Sequence, residues 1–190
     1  MMGYLKGGAF LIQETEAKDI FIRSEFGEDQ KMMLSATEDF NEREILPVLM
    51  RFEEKDYALV ESLMRKAGEL GLLGINVPEK YEGLGMGFNT GMLICEEISS
   101  LTGSIATAFG AHTGIGTLPI LLYGSEEQKL HYLPKIASGE WMSCYNLTEP
   151  DAGSDANSGK TKAVLTEDGE HYEITGQKIW ISNAGFADVF

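Results

Sequence analysis

The spacing of apolar residues changes once along the chain, near residue 140, and the change divides it in two. Before that point the period is helical. In residues 29–53, Ile45, Val48, Leu49 and Phe52 recur at i, i+3, i+4 and i+7, with Glu42, Arg43, Glu44, Arg51 and Glu53 on the other faces. Pro47 inside that pattern predicts a kink or two abutting helices. Leu59, Leu63, Ala67 and Leu70 predict a second helix over 56–70, with Asp56 as N-cap and Gly71 as its stop. A Gly- and Pro-punctuated stretch follows, and Asn89 or Thr90 is a suitable cap for a third helix carrying Ile94, Ile98 and Leu101. The run from Ile105 to Leu122 has no polar face, which predicts a buried helix. Ser125, followed by Glu126, Glu127 and Gln128, opens a last helix that ends near Gly139.

After Gly139 the period becomes two. The segment WMSCYNLTE alternates as a strand up to Pro150. Lys160–Thr166 and His171–Thr175 flank a Glu-Asp-Gly-Glu turn and read as a β-hairpin, Lys178–Ser182 reads as a further strand, and residues 187–190 start another. The predicted class is α+β: an all-α N-terminal helical domain followed by a truncated β-sheet or barrel domain. The boundaries are an N-terminal extension over 1–28, the helical domain over 29–140 and the β portion over 141–190.

Charge narrows the partners. The 190 residues carry 15 Lys+Arg against 30 Asp+Glu, a formal net charge of -15 with no basic stripe, so nucleic acid and anionic lipid surfaces are both disfavoured. Two cysteines, Cys95 and Cys144, make neither a disulfide framework nor a metal site, and free thiols fit a reducing compartment. The apolar stretch Gly7–Ile12 is too short for a signal-peptide core, and Glu14, Glu16 and Asp19 are wrong for a mitochondrial presequence. No stretch approaches the roughly 18 uninterrupted apolar residues of a membrane span. Together these predict a soluble intracellular protein, cytoplasmic or, from a eukaryotic source, in the mitochondrial matrix.

Several familiar motifs fail on spacing. Gly159-Lys160-Thr161 would complete a phosphate-binding loop only with glycine at 154, which is Ser, and the segment that follows reads as strand instead of helix. Gly83 to Gly87 lacks the spacing and strand context of a dinucleotide fingerprint. His112, His131 and His171 stand too far apart for a metal site and read as packing or surface residues, and Ser143, Ser154 and Ser182 have no nucleophile elbow. Neither a catalytic residue nor a metal ligand is assigned.

Two segments remain, Tyr145-Asn-Leu-Thr-Glu-Pro-Asp-Ala-Gly-Ser-Asp155 and Gly176-Gln-Lys-Ile-Trp-Ile-Ser-Asn183. The first is a strand stopped by Pro150 and then a turn of small and Asx residues, which can aim successive backbone N–H groups at an anionic oxygen or a ring carbonyl. In the second, alternation puts Trp180 and Ser182 on one face and Ile179 and Ile181 on the other. An indole beside a hydroxyl suits a planar heterocycle. A core tryptophan beside a strand-end serine fits the same pattern.

Together these segments resemble the acyl-CoA dehydrogenase family: YNLTEPDAGSD is similar to its signature after the helical domain, and GQKIWISN to its flavin-contacting strand. The stretches ELGLLGINVPEKYEGLGMG and ILLYGSEEQKLHYLPKIASGE resemble it upstream, and GAHTGIG resembles its very-long-chain branch. The resemblance covers about residues 30 to 190. It implies FAD as cofactor and oxidation of an acyl-CoA to the trans-2-enoyl-CoA. It also implies electron-transfer flavoprotein or a similar acceptor as partner, and a homo-oligomer at full length. The cofactor-binding positions it implies are Tyr145, Leu147, Thr148, Gly153, Ser154, Trp180, Ile181 and Ser182, with Ser154 also contacting substrate. Asn146 and Asp151 depart from the small residue and the glycine usual there, with side chains expected to point away from the flavin. The family's catalytic Glu lies in a C-terminal helical domain; Glu149 belongs to the turn signature and is read as structural. The chain is therefore expected to be an inactive fragment of such an enzyme. A flavin oxidase or monooxygenase of the same fold and a non-catalytic helical interaction module are the alternatives.

Overall fold

Local signals start and stop most of the helices where the pattern places them. In the computed structural model, which describes Leu5 and residues 7–190, α1 (Glu28–Phe40) begins where Gly27 N–H donates to the Gln30 side chain. Proline at 47 leaves the chain unable to continue as one helix. Asn41–Ile45 widens to π-type hydrogen bonding, Leu46–Val48 tightens to a 3-10 turn, and α2 (Leu49–Glu53) resumes beyond it. The Asp56 side chain accepts from Leu59 N–H at 3.0 Å to cap α3 (Tyr57–Glu69), which Gly71 terminates at φ +77°.

The third predicted helix starts two or three residues earlier than expected: α4 (Phe88–Ile98) is preceded by Gly87 at φ +82°, and neither Asn89 nor Thr90 caps it. The apolar run divides into α5 (Gly103–Gly110), a π-type segment Ala111–Gly116 and α6 (Leu118–Tyr123). Ser125 and Gln128 exchange reciprocal bonds at the head of α7 (Glu126–Ser138), which ends on left-handed Gly139. Residues 103–123 are long and apolar enough to cross a membrane by length and composition. They also pack on α3, α4 and α7 and carry the buried, hydrogen-bonded His112 at their centre, as a core helix does.

The main core joins α1 to α5, with Phe40, Ile45, Leu63, Met64, Leu72, Ile94, Ile98 and Phe109 buried together, and a second cluster of Val77, Tyr81, Leu133 and Ala137 takes in α6 and α7. Met142, beyond the last helix, enters the main core. The N-terminal extension lies against α4 through the Arg23–Glu96 ion pair at 3.1 Å, while residues 1–4 and 6 of that predicted region fall outside the described residues.

The β portion is sparser than its pattern predicts. β1 (Lys162–Leu165) and β2 (Tyr172–Thr175) form the expected hairpin, antiparallel, with Leu165 opposite Tyr172 and Ala163 opposite Ile174. Residues 141–149 and 178–182, predicted as strands, are not part of a sheet, and the second segment bends at Trp180. They are held by single bridges and by Ile179 N–H to Thr148 O at 2.9 Å. The closing residues do pair on one edge, Cys144 N–H reaching Val189 O at 2.9 Å.

Candidate functional site

Extended backbone turns successive side chains to opposite sides; residues 144–147 follow that rule, and Glu149, of the same parity as Leu147, breaks it. Cys144 and Glu149 are buried, while Tyr145 and Leu147 are exposed at 41% and 42%. The Cys144 thiol donates to Asn146 Oδ1 at 3.5 Å, so Asn146 points away from Tyr145 and Leu147, and Asp151 leaves the site to pair with Lys160 at 3.0 Å.

The second segment lies alongside and departs from its predicted alternation. Trp180 has φ +59° and Asn183 φ +69°. A bulky residue in the left-handed region is an outlier that surrounding structure must hold, and such outliers gather at functional sites. The bend overturns the expectation that Ile181 faces away from Trp180 and Ser182. All three border one cavity of about 240 Å³, together with Tyr145, Leu147, Thr148 and Ile115. Trp180 is 86% exposed, so the reading of it as a core residue fails. Its indole is an open wall.

Six of the eight predicted cofactor positions thus meet. Gly153 and Ser154 do not line the cavity; they lie exposed beyond the tight turn in which Glu149 and Ala152 exchange N–H···O bonds of 3.1 Å. The cavity lies just below the roughly 300–1,000 Å³ of small-molecule sites and has no ionisable lining residue except the Tyr145 phenol.

Glu149 ties the two segments together from behind. Its carboxylate accepts from Lys160 N–H at 2.5 Å, from Thr161 N–H at 2.9 Å and from Lys178 Nζ at 2.9 Å. The same ammonium donates to Leu147 O at 2.9 Å. The adjacent Thr161 hydroxyl, the Lys178 ammonium and the two backbone N–H groups hold Glu149 far below the usual carboxylate range. The N–H groups that gather an anion here belong to the segment that fails as a phosphate loop, and the anion is the chain's own.

The sequence marks neither Ile115 nor Lys178 as a site residue, and His112, expected to be a packing or surface residue, is buried. Ile115 sits in a run with no polar face, so nothing distinguishes it from core. Asn183 carried a usable signal, since asparagine tolerates the left-handed conformation it adopts.

A helical unit and a small β unit, with an aromatic- and hydroxyl-lined cavity where they join, define the class of protein. The chain belongs to the acyl-CoA dehydrogenase family: residues 27–140 match the model of its N-terminal domain and residues 144–190 that of its middle domain. A Bacillus subtilis (strain 168) protein named "Probable acyl-CoA dehydrogenase" is 49% identical over 97% of this chain and 31% of its own length. The crystal structure of an acyl-CoA dehydrogenase complexed with FAD from Bacillus anthracis superposes with a TM-score of 0.91 at 46% identity, over 97% of this chain and 31% of that one. The very long-chain specific acyl-CoA dehydrogenase of Bos taurus is 40% identical over 76% of this chain and 23% of its own length. The chain therefore spans under a third of the length of these relatives.

Proposed function

We propose that this chain is the cofactor-facing portion of an FAD-dependent acyl-CoA dehydrogenase that oxidises acyl-CoA to the trans-2-enoyl-CoA. The observation that carries the reading is the cavity shared by residues 145–148 and 180–182, open to solvent and walled by an exposed indole. The set fits a flavin: Trp180 offers a flat stacking face, Thr148 and Ser182 offer hydroxyls to a ring edge, and no fixed charge opposes a heterocycle. The Bacillus anthracis relative is itself a complex with FAD. When bound, FAD supplies the acceptor for the substrate's β-hydride. Tyr145, Leu147 and Trp180 would exclude water from the ring, Thr148 and Ser182 would orient it, and the exposed Ser154 would meet the acyl-CoA at the mouth. The division at 28/29 and 140/141 is kept as the working domain boundary, and an electron-transfer flavoprotein is the proposed redox partner.

The proton-abstracting base is assigned outside residues 1–190. No carboxylate lines the cavity, and Glu149 spends both oxygens on three donors and stays ionised at neutral pH. The whole protein is expected to reduce a dye acceptor in the presence of acyl-CoA. The 190-residue polypeptide with added FAD should fall short by about 10²–10⁴-fold or more, the usual contribution of a general base. Turnover by the short polypeptide at the rate of the whole protein would sink the assignment, and peroxide in place of dye reduction would make the protein an oxidase.

Trp180→Ala separates binding from folding. An exposed side chain contributes little to stability, so the melting transition of the apo chain should stay within about 0.5 kcal/mol of wild type. FAD content of the whole protein should fall sharply. A large loss of apo stability with FAD retained would show that the indole is structural.

A further inference from the structure

His112 is fully buried near the start of the π-type segment Ala111–Gly116, and both ring nitrogens are used. Ser143 N–H donates to Nδ1 at 3.1 Å, and Nε2 lies 3.0 Å from Ile136 O. A backbone N–H can only donate and a carbonyl can only accept, which fixes the neutral Nε2–H tautomer. Ser143 Oγ donates in turn to His112 O at 3.2 Å. Asn183, next in sequence to Ser182, donates from Nδ2 to Ala108 O at 2.9 Å and to Ser143 O at 3.3 Å. The segment that leads into Tyr145, Leu147 and Thr148 is thus moored to the helical unit at Ser143, through the imidazole and the backbone carbonyl of His112. Residue 116 is glycine because a Cβ there would overlap Ser143 Oγ. Ser143 is held from one side by a hydrogen bond and from the other by contact.

The geometry points to His112 as a positioning residue: through Ser143 it sets where the cavity wall 145–148 stands relative to the helices and to Trp180–Ser182. This rests on the flavin reading of the cavity. A side chain that touches no reactant acts on chemistry only through placement, and a displacement of 1 Å at the wall is enough to slow a reaction on the order of 10²-fold.

Two isosteric substitutions in the whole protein separate the ring's two bonds. In His112→Asn the side-chain oxygen stands near the Nδ1 position and can still accept from Ser143 N–H, while the bond to Ile136 O is lost. In His112→Gln the amide reaches the Nε2 position and keeps the bond to Ile136 O, while Ser143 N–H loses its acceptor. Positioning predicts opposite results from variants that each lose one buried bond. Asn should keep the wild-type flavin absorption spectrum and rate of flavin reduction by acyl-CoA. Gln should reduce roughly tenfold to a hundredfold slower with little change in KM. Amide hydrogen exchange over residues 143–148 should rise in Gln and not in Asn, a readout that needs no flavin. Gly116→Ala displaces Ser143 without touching the imidazole and should reproduce the Gln result, so the question stays open to test if Gln folds poorly.

Equal losses in Asn and Gln would make His112 merely structural and overturn the inference, as would wild-type exchange and kinetics in Gln or in Gly116→Ala. A whole protein that holds no FAD would end the proposed function instead, and exchange at 143–148 would then decide the mooring by itself.

Discussion

Acidification from pH 7 to pH 4 is expected to remove roughly 3 kcal/mol of stability through His112 alone. Burial pushes this imidazole from the ordinary 6.5 down to about 4, with the bond to Ile136 O opposing the shift only in part. The unfolded chain therefore binds a proton near pH 6.5 that the folded chain refuses until about 4. Between those values the unfolded state carries more protons, so stability falls as pH falls, and below about 4 the loss levels off. A gap of about 2.5 pKa units corresponds to roughly 3 kcal/mol. Ser143, Ile136 O and Thr117 are the polar groups bonded to the residue and none titrates in this window. Urea unfolding of wild type and His112→Asn at several pH values measures the effect. Wild type should lose stability most steeply between pH 6.5 and 4, and the variant, with nothing to protonate at that position, should be flatter there. Parallel profiles would mean that His112 takes up its proton in the folded chain as readily as in the unfolded one.

Residues with short-range roles were readable and residues with long-range roles were not. Asp56 reaches Leu59 three positions on, and Ser125 and Gln128 bond reciprocally across one turn, so the pattern of residue types contains the whole interaction. The Glu-Asp-Gly-Glu turn specifies its hairpin in the same local way. His112 offers no such clue. Its partners are 24 and 31 positions away, and a histidine alone in an apolar run looks like any packing residue. The strand predicted over Lys178–Ser182 failed for a related reason: alternation assumes β conformation throughout, and Trp180 leaves it at φ +59°. What holds Trp180 in that state is the docking of its neighbours, Lys178 on Leu147 O and Glu149, Ile179 on Thr148 O and Asn183 on Ala108 O. Local preference lost to tertiary hydrogen bonding at the one place where the site is assembled.

That assembly depends on Glu149, so Glu149→Gln is expected to have the largest effect on the cavity of any single isosteric change. The wild-type carboxylate accepts from two backbone N–H groups and one ammonium and is almost completely buried, at 6% exposure. An amide replaces one of those acceptor oxygens with a donor. At least one of Lys160 N–H, Thr161 N–H or Lys178 Nζ must then face another donor, and Lys178 loses its counter-charge while remaining partly buried. A charge-assisted hydrogen bond is worth roughly a factor of ten or more in an equilibrium, and several are weakened together. Lys178 would be free to leave Leu147 O, and residues 178–182 would be held less firmly against 145–148, with the Ile179 N–H bond to Thr148 O remaining. The whole protein carrying Glu149→Gln should therefore lose FAD affinity by about a hundredfold, with faster amide exchange at Thr161 and Ile179. The helical core, which Glu149 does not touch, should keep its circular dichroism. Because the wild-type carboxylate is held far below the usual range, acid should have little effect on this latch until well below pH 4.5. Lys178→Met should share the FAD defect, and the double variant Glu149→Gln with Lys178→Met should be no worse than either single change, since each breaks the same latch. Additive losses in the double variant, or full FAD affinity in Glu149→Gln, would show that the two segments are held together by something other than this ion pair.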